Sequence, residues 1–237
     1  MVPWESHEKT DLDRLFDIVV FLPSIFSRTD RLVPGPATQE RRLRAQDLLS
    51  NCLFIERQLD DWYSAMLAGD GTPGTMSFRL DEHDIQAQIP FAGSFVFRDG
   101  VSAVAFIYYW MSLMLFHRVV EQLYRIICQP VMEAYLNMYP DLPPNLMIDE
   151  AKYQQGRDLA ARICRSLDFA LNHTAQPDLL VAPLLNVHAF YQGINQASRD
   201  GELEILWCDE FRRRLLERGQ QLSNLIGARS WSEIAKF

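Results

Sequence analysis

The sequence predicts an all-α protein, a single multi-helix domain over residues 1–237 built around one central apolar helix, with an irregular loop at about 68–100. Three observations carry that expectation. Apolar residues recur at helical spacing along most of the chain. Strand-like alternation is too weak anywhere to support a sheet. And between Asp99 and Arg118 run 18 residues without a Lys, Arg, Asp or Glu, the pattern of a helix that has no solvent face.

The elements follow in order. Asp11 to Leu22 reads as a first helix, with Leu12, Leu15, Phe16, Val19 and Val20 on one side and Thr10 as N-cap. Pro23 is expected to close or kink it, and Pro34, Gly35 and Pro36 make a connector. Leu43, Leu48, Leu49, Cys52, Leu53, Leu59, Trp62, Tyr63, Met66 and Leu67 then mark a long amphipathic helix. From Ala68 to Gly100 the period is broken by Gly69, Gly71, Pro73, Gly74, Pro90 and Gly93, and "FAGSFVF" supplies at most a short strand. Phe91, Phe95 and Phe97 are apolar anchors for this loop.

The stretch "VSAVAFIYYWMSLMLFHRVV" continues as a helix to Cys128, and Pro130 forces a break or a new helical start before Val131 to Tyr139. Pro140, Pro143 and Pro144 form the next connector. One helix is expected from Asp149 through Leu159, Ile163, Leu167, Ala170 and Leu171, one from about Pro177 to Ala197, and one from about Gly201 to Gly219. Ser230 and Glu233 form a capping box for a last short turn.

Length alone lets the apolar stretch span a membrane, since a transmembrane helix needs about 20 mostly apolar residues. Yet Ser102, Tyr108, Tyr109, Ser112 and His117 lower its hydropathy, and its amphipathic neighbours need a centre to pack against. Core helix and pocket wall are the two readings kept, and no membrane span is expected.

Composition narrows the function. With 23 basic and 31 acidic residues the net charge is −8, a field that repels nucleic acid and anionic lipid. The arginine runs Arg41, Arg42, Arg44 and Arg212, Arg213, Arg214 have Glu40, Asp47, Glu210 and Glu217 close by, so they read as solvated helix faces. Cys52, Cys128, Cys164 and Cys208 are widely spaced and read as reduced, mostly buried thiols of an intracellular protein. No metal and no cofactor is expected. "LDEHDI" reads as an exposed acidic loop, and "DDWYS" has Ser64 where a diphosphate-binding helix would need a third carboxylate.

The candidate site residues lie on two helices. His117, with Glu121 one turn on and Arg118 beside it, has the spacing of a general base and an orienting acid, or of a polar pair ending a core helix. His188 and Tyr191 fall three apart and can share a face, to bond a ligand oxygen or to satisfy one another. Trp207, Phe211, Leu215 and Trp231 either close the core or leave an apolar patch for pairing of copies.

Read together, "PWESHEKTDLDRLFDIVVFLP", "FRDGVSAVAFIYYWMSLMLFHRVV", "AARICRSLDFALN", "PDLLVAPLLNVHAFY" and "GELEILWCDEFRRRLLERG" resemble the C-terminal regulatory region of fungal binuclear zinc-cluster transcription factors. That resemblance implies an all-α region that shapes regulation, with DNA read by a separate N-terminal module of six closely spaced cysteines. The four cysteines here cannot form such a cluster. The expectation is a stand-alone regulatory or effector-binding protein without a DNA-binding module, tied to secondary metabolism, meeting an apolar metabolite and possible partners in the transcriptional machinery or in itself. It would be nuclear if a regulator and cytoplasmic if an enzyme.

The alternative is a cofactor-free enzyme, a cyclase, isomerase or pericyclase working by positioning and polar stabilisation. His117, Tyr109, His188 and Tyr191 would then be catalytic, and Tyr108, Trp110, Phe116, Arg118 and Glu121 would line the ligand.

Overall fold

A computed structural model of the chain describes residues 8–68, 78–81, 90–91 and 93–227. Within them the architecture is all-α with one small β-ribbon. The chain forms two compact units, residues 1–76 with 112–159 and residues 77–111 with 160–237. The expected capping box at Ser230 and Glu233, Trp231, the glycines and proline of 69–74, and Glu82, His83 and Asp84 lie outside the described residues.

In the first unit, α1 (Asp11–Val19) opens on the expected cap. The Asp13 N–H donates to Thr10 Oγ1 at 3.2 Å and the Thr10 N–H donates to Asp13 Oδ2 at 2.9 Å, so two orphan donors are satisfied reciprocally. Pro23 departs from expectation: it neither ends nor kinks a helix but sits in the first turn of α2 (Leu22–Leu32), where its missing N–H has no intrahelical partner to lose. The long amphipathic helix is α3 (Gln39–Ala68), burying Leu48, Leu49, Cys52, Ile55, Leu59 and Trp62 along one face. Trp62 Nε1–H donates to the Asp11 carbonyl at 3.0 Å and ties α3 to α1.

The first arginine run is structural. Arg41 donates to the Leu32 and Val33 carbonyls at 2.7 and 2.8 Å, where α2 ends. Arg42 is buried and donates to the carbonyls of Gln129 and Met138 at 2.9 and 2.5 Å. Arg44 pairs with Glu40 one turn back.

The apolar stretch is α4 (Gly100–Cys128), with residues 100–111 in the second unit and 112–128 in the first. Its 18-residue window of mean hydropathy 1.4 is long and apolar enough to cross a membrane, and 67% of that window is buried inside the protein, as befits a helix at the centre of a bundle. After Pro130 come short 3-10 helices at Met132–Asn137 and Pro144–Leu146. The single helix expected from Asp149 is two. The turn α5 (Glu150–Tyr153), capped by Asp149, stops where Gln154 leaves helical geometry, and α6 (Gly156–His173) restarts the pattern.

In the second unit, β1 (Phe78–Asp81) and β2 (Ser94–Phe97) pair antiparallel with Phe78 opposite Phe97. Sequence reasoning allowed one short strand; the second exists because its phenylalanine has rings to meet. Phe78 packs edge-on against Phe106 and Trp110 of α4 at 5.0 and 5.6 Å, and Phe95 and Phe97 reach the same pair of rings. Gly100 is dictated by a close approach, since a Cβ there would lie 2.3 Å from the His173 carbonyl oxygen at the end of α6. A 3-10 helix at Pro177–Leu180 leads into α7 (Val181–Ser198), and α8 (Glu202–Gly227) returns antiparallel. The turn between them has Arg199 at φ 56° and Gly201 at φ 97°, the left-handed steps that close a short helix hairpin.

Candidate functional site

Among the described residues, a buried polar cluster in the first unit and an apolar cavity in the second bring chemistry-bearing groups together. The first is a buried polar cluster where α3, α4 and α5 supply side chains. Cys52, Glu56 and Asp60 follow one another at four-residue spacing on α3, hence on one face. The Tyr153 hydroxyl donates to Glu56 Oε2 at 2.9 Å. Lys152 Nζ stands 3.1 Å from Glu56 Oε1, an ion pair without hydrogen-bond alignment, and 3.3 Å from Asp60 Oδ2.

His117 meets Tyr153 edge-on at 5.1 Å between ring centroids, and neither of its ring nitrogens has a hydrogen-bond partner. It is only 5% exposed. Burial, reinforced by the Lys152 ammonium, pushes its pKa from 6.5 down to about 4, so the imidazole is neutral at physiological pH. Burial and then the Glu56 carboxylate push the Cys52 thiol up to about 12 and the Tyr153 phenol well above its ordinary value. Burial alone would lower Lys152, but Glu56 and Asp60 outweigh it and raise the ammonium. The thiol and the phenol are thus held neutral and the ammonium charged, while the neutral imidazole keeps two unpartnered nitrogens.

The second place is a cavity of about 780 Å³ between the Pro177–Leu180 turn with α7 on one side and α8 on the other. Val181, Leu184 and Leu185 line one wall, Leu215 and Leu216 the other, with Asp178, Arg212 and Gln220 supplying the polar groups. Gly219 also lines it, and a Cβ added there would meet nothing within 4 Å. The turn is pinned by the Tyr108 hydroxyl, which donates to the Leu179 carbonyl at 2.9 Å; burial and then Asp178 raise the pKa of that phenol.

The second arginine run divides at this cavity. Arg213 is held by Glu210 and Glu217 on its own helix, and Arg214 donates to Asp168 of α6 at 2.7 Å. Among the described residues Arg212 has no ion-pair or hydrogen-bond partner, and neither does Asp178. A cation and an anion without partners therefore stand at an otherwise apolar cavity.

The residues singled out from sequence do not form one constellation. Glu121 pairs with Arg125 at 2.9 Å rather than with His117, and Arg118 is exposed. Phe116 is fully buried beside His117. Tyr109 and Trp110 are buried in the second unit, Trp110 within the phenylalanine cluster. His188 Nε2 lies 3.5 Å from Asp209 Oδ1, while Tyr191 is buried with its ring 6.0 Å from Phe91. Of the residues proposed as an apolar patch, Phe211 and Leu215 are buried and Trp207 stacks on Phe211 at 5.5 Å.

The sequence held signals for what was missed. Leu184 and Leu185, like Leu215 and Leu216, are adjacent leucines, and a helix buries only one of such a pair against its core. Leu185 and Leu216 are the exposed members, at 53% and 68%. Compared with known proteins, the chain matches no family model, no curated protein and no solved structure.

Proposed function

We propose that this is an effector-binding regulatory protein whose effector, an apolar small molecule, occupies the cavity between α7 and α8. The observation that carries the reading is the cavity itself. Its volume of about 780 Å³ falls in the range of small-molecule sites, roughly 300–1,000 Å³, and its character, apolar walls with a few polar groups, is theirs too. The likeness to regulatory regions of fungal zinc-cluster factors supports the regulatory half, with a role in secondary metabolism and a place inside the cell.

Binding is favoured over catalysis because of where the candidate catalytic groups lie. None of His117, Tyr109, His188 and Tyr191 is among the residues that line the cavity. His117, the one with free ring nitrogens, faces Tyr153 in the other unit.

A neutral apolar dye such as Nile red tests the binding half. The wild-type protein should take up one dye per chain with a blue-shifted emission. Leu185→Glu with Leu216→Glu, two substitutions at exposed positions, should abolish uptake while leaving the melting temperature within a few degrees. Undiminished uptake by that variant overturns the site. Deleting the gene tests the regulatory half: altered transcript levels of a biosynthetic pathway support it, whereas normal transcripts with an accumulated precursor favour the cyclase or pericyclase alternative.

A further inference from the structure

Resting on that reading, we infer that the effector is an apolar carboxylate, with its anionic end on Arg212 and its apolar body along Val181, Leu185 and Leu216. Three guanidiniums occur in succession on α8, and two of them are consumed within the protein, Arg213 by Glu210 and Glu217, Arg214 by Asp168. Arg212 alone lines the cavity and alone lacks a partner among the described residues. A guanidinium presents a planar fork of donors that matches a carboxylate in two parallel bonds.

Asp178 argues about the size of the ligand charge. Its carboxylate stands across the cavity on the Pro177–Leu180 turn, also without a partner. An anion at Arg212 is tolerable beside it only if the rest of the ligand is uncharged there, so a monocarboxylate is selected over a dicarboxylate, and a hydroxyl able to donate to Asp178 adds to binding. Gly219 completes the shape. It lies seven residues, two helical turns, after Arg212 on α8, on the same face, and the space above it is open, which leaves room for the apolar body two turns from the charge.

Dodecanoate, dodecanol and dodecylammonium carry the same chain with three different ends, and calorimetric titration of each into the full chain separates the outcomes. Dodecanoate should bind about tenfold or more tighter than dodecanol, the scale of one charge-assisted bidentate contact. Arg212→Gln should bring the two to equality, and Asp178→Asn should tighten dodecanoate. Equal affinity of acid and alcohol for the wild-type protein overturns the carboxylate while leaving the apolar site standing. Preference for dodecylammonium, lost in Asp178→Asn, overturns it in favour of a cationic effector. Binding of none of the three, in a protein that also fails to take up Nile red, overturns both the ligand class and the site.

Discussion

His117 shows how far a single residue's chemistry is set by its surroundings. An imidazole with both nitrogens unpartnered in a buried site is stable only uncharged, and its pKa of about 4 against an ordinary 6.5 makes a definite statement about pH. Between those values the unfolded chain binds the proton and the folded one does not. The His117 contribution is therefore complete above pH 6.5 and is lost as pH falls toward 4, by about 3 kcal/mol in all. Urea unfolding of the wild-type protein and His117→Phe at pH 7 and pH 4.5 checks this: the wild-type protein should lose more stability on acidification than the variant does. Gly100 makes a second prediction at this scale. Its added Cβ would meet backbone at 2.3 Å rather than a yielding side chain, so Gly100→Ala should destabilise by about 1–3 kcal/mol, read as a lowered midpoint in the same titration.

At the scale of elements, α8 is the clearest case of a helix serving two masters. Cys208 and Phe211 face the core, Arg212, Leu216 and Gly219 face the cavity, and the buried Leu215 touches both. Gly219 sits in a helix interior where alanine is favoured, and Gly219→Ala should raise stability by about 0.5–1 kcal/mol, measurable by thermal or urea unfolding. Gly219→Phe should fold equally well and exclude Nile red. Arg42 bears the opposite expectation: Arg42→Met takes the guanidinium donor from the Gln129 and Met138 carbonyls, of which Met138 keeps the Val131 N–H, and should cost about 1–3 kcal/mol.

Elements of this kind were unequally legible in the sequence. The cap of α1, the 30 residues of α3 and the extent of α4 follow from period and punctuation alone, because local chemistry decides them. Pro23 was misjudged because a proline that ends one helix and a proline that begins the next look alike until the chain's path is known. The β-ribbon is not legible for a related reason, since Phe78 pairs with Phe97, 19 positions further along the chain, and no local pattern encodes a partner. The site was only half legible. Burial of His117 follows from its place in an apolar run, but its neighbour Tyr153 lies 36 residues away in sequence. That α7 and α8 leave a cavity depends on which of two adjacent leucines each helix turns inward.

For the whole molecule, charge sets the sign of the field that a partner would meet. The net charge is −8, and of the two arginine runs only Arg212 is left without a carbonyl or carboxylate to hold. A net negative field opposes a phosphate backbone, whose binding draws on many neutralised phosphates. Fluorescence anisotropy with a labelled duplex at physiological salt should show no binding; micromolar binding would mean that a basic surface exists elsewhere. On the proposed reading, regulation would run through the effector and through protein contacts, and that reading depends on the cavity being the place where the effector sits.

Amide hydrogen exchange of the wild-type protein, with and without saturating dodecanoate, tests that dependence most directly. The account predicts slowed exchange confined to residues 177–198 and 202–220, the turn and two helices that form the walls. Protection centred instead on α3 and α5 around Tyr153, or unchanged exchange over 177–198 and 202–220 at saturating dodecanoate, would contradict it.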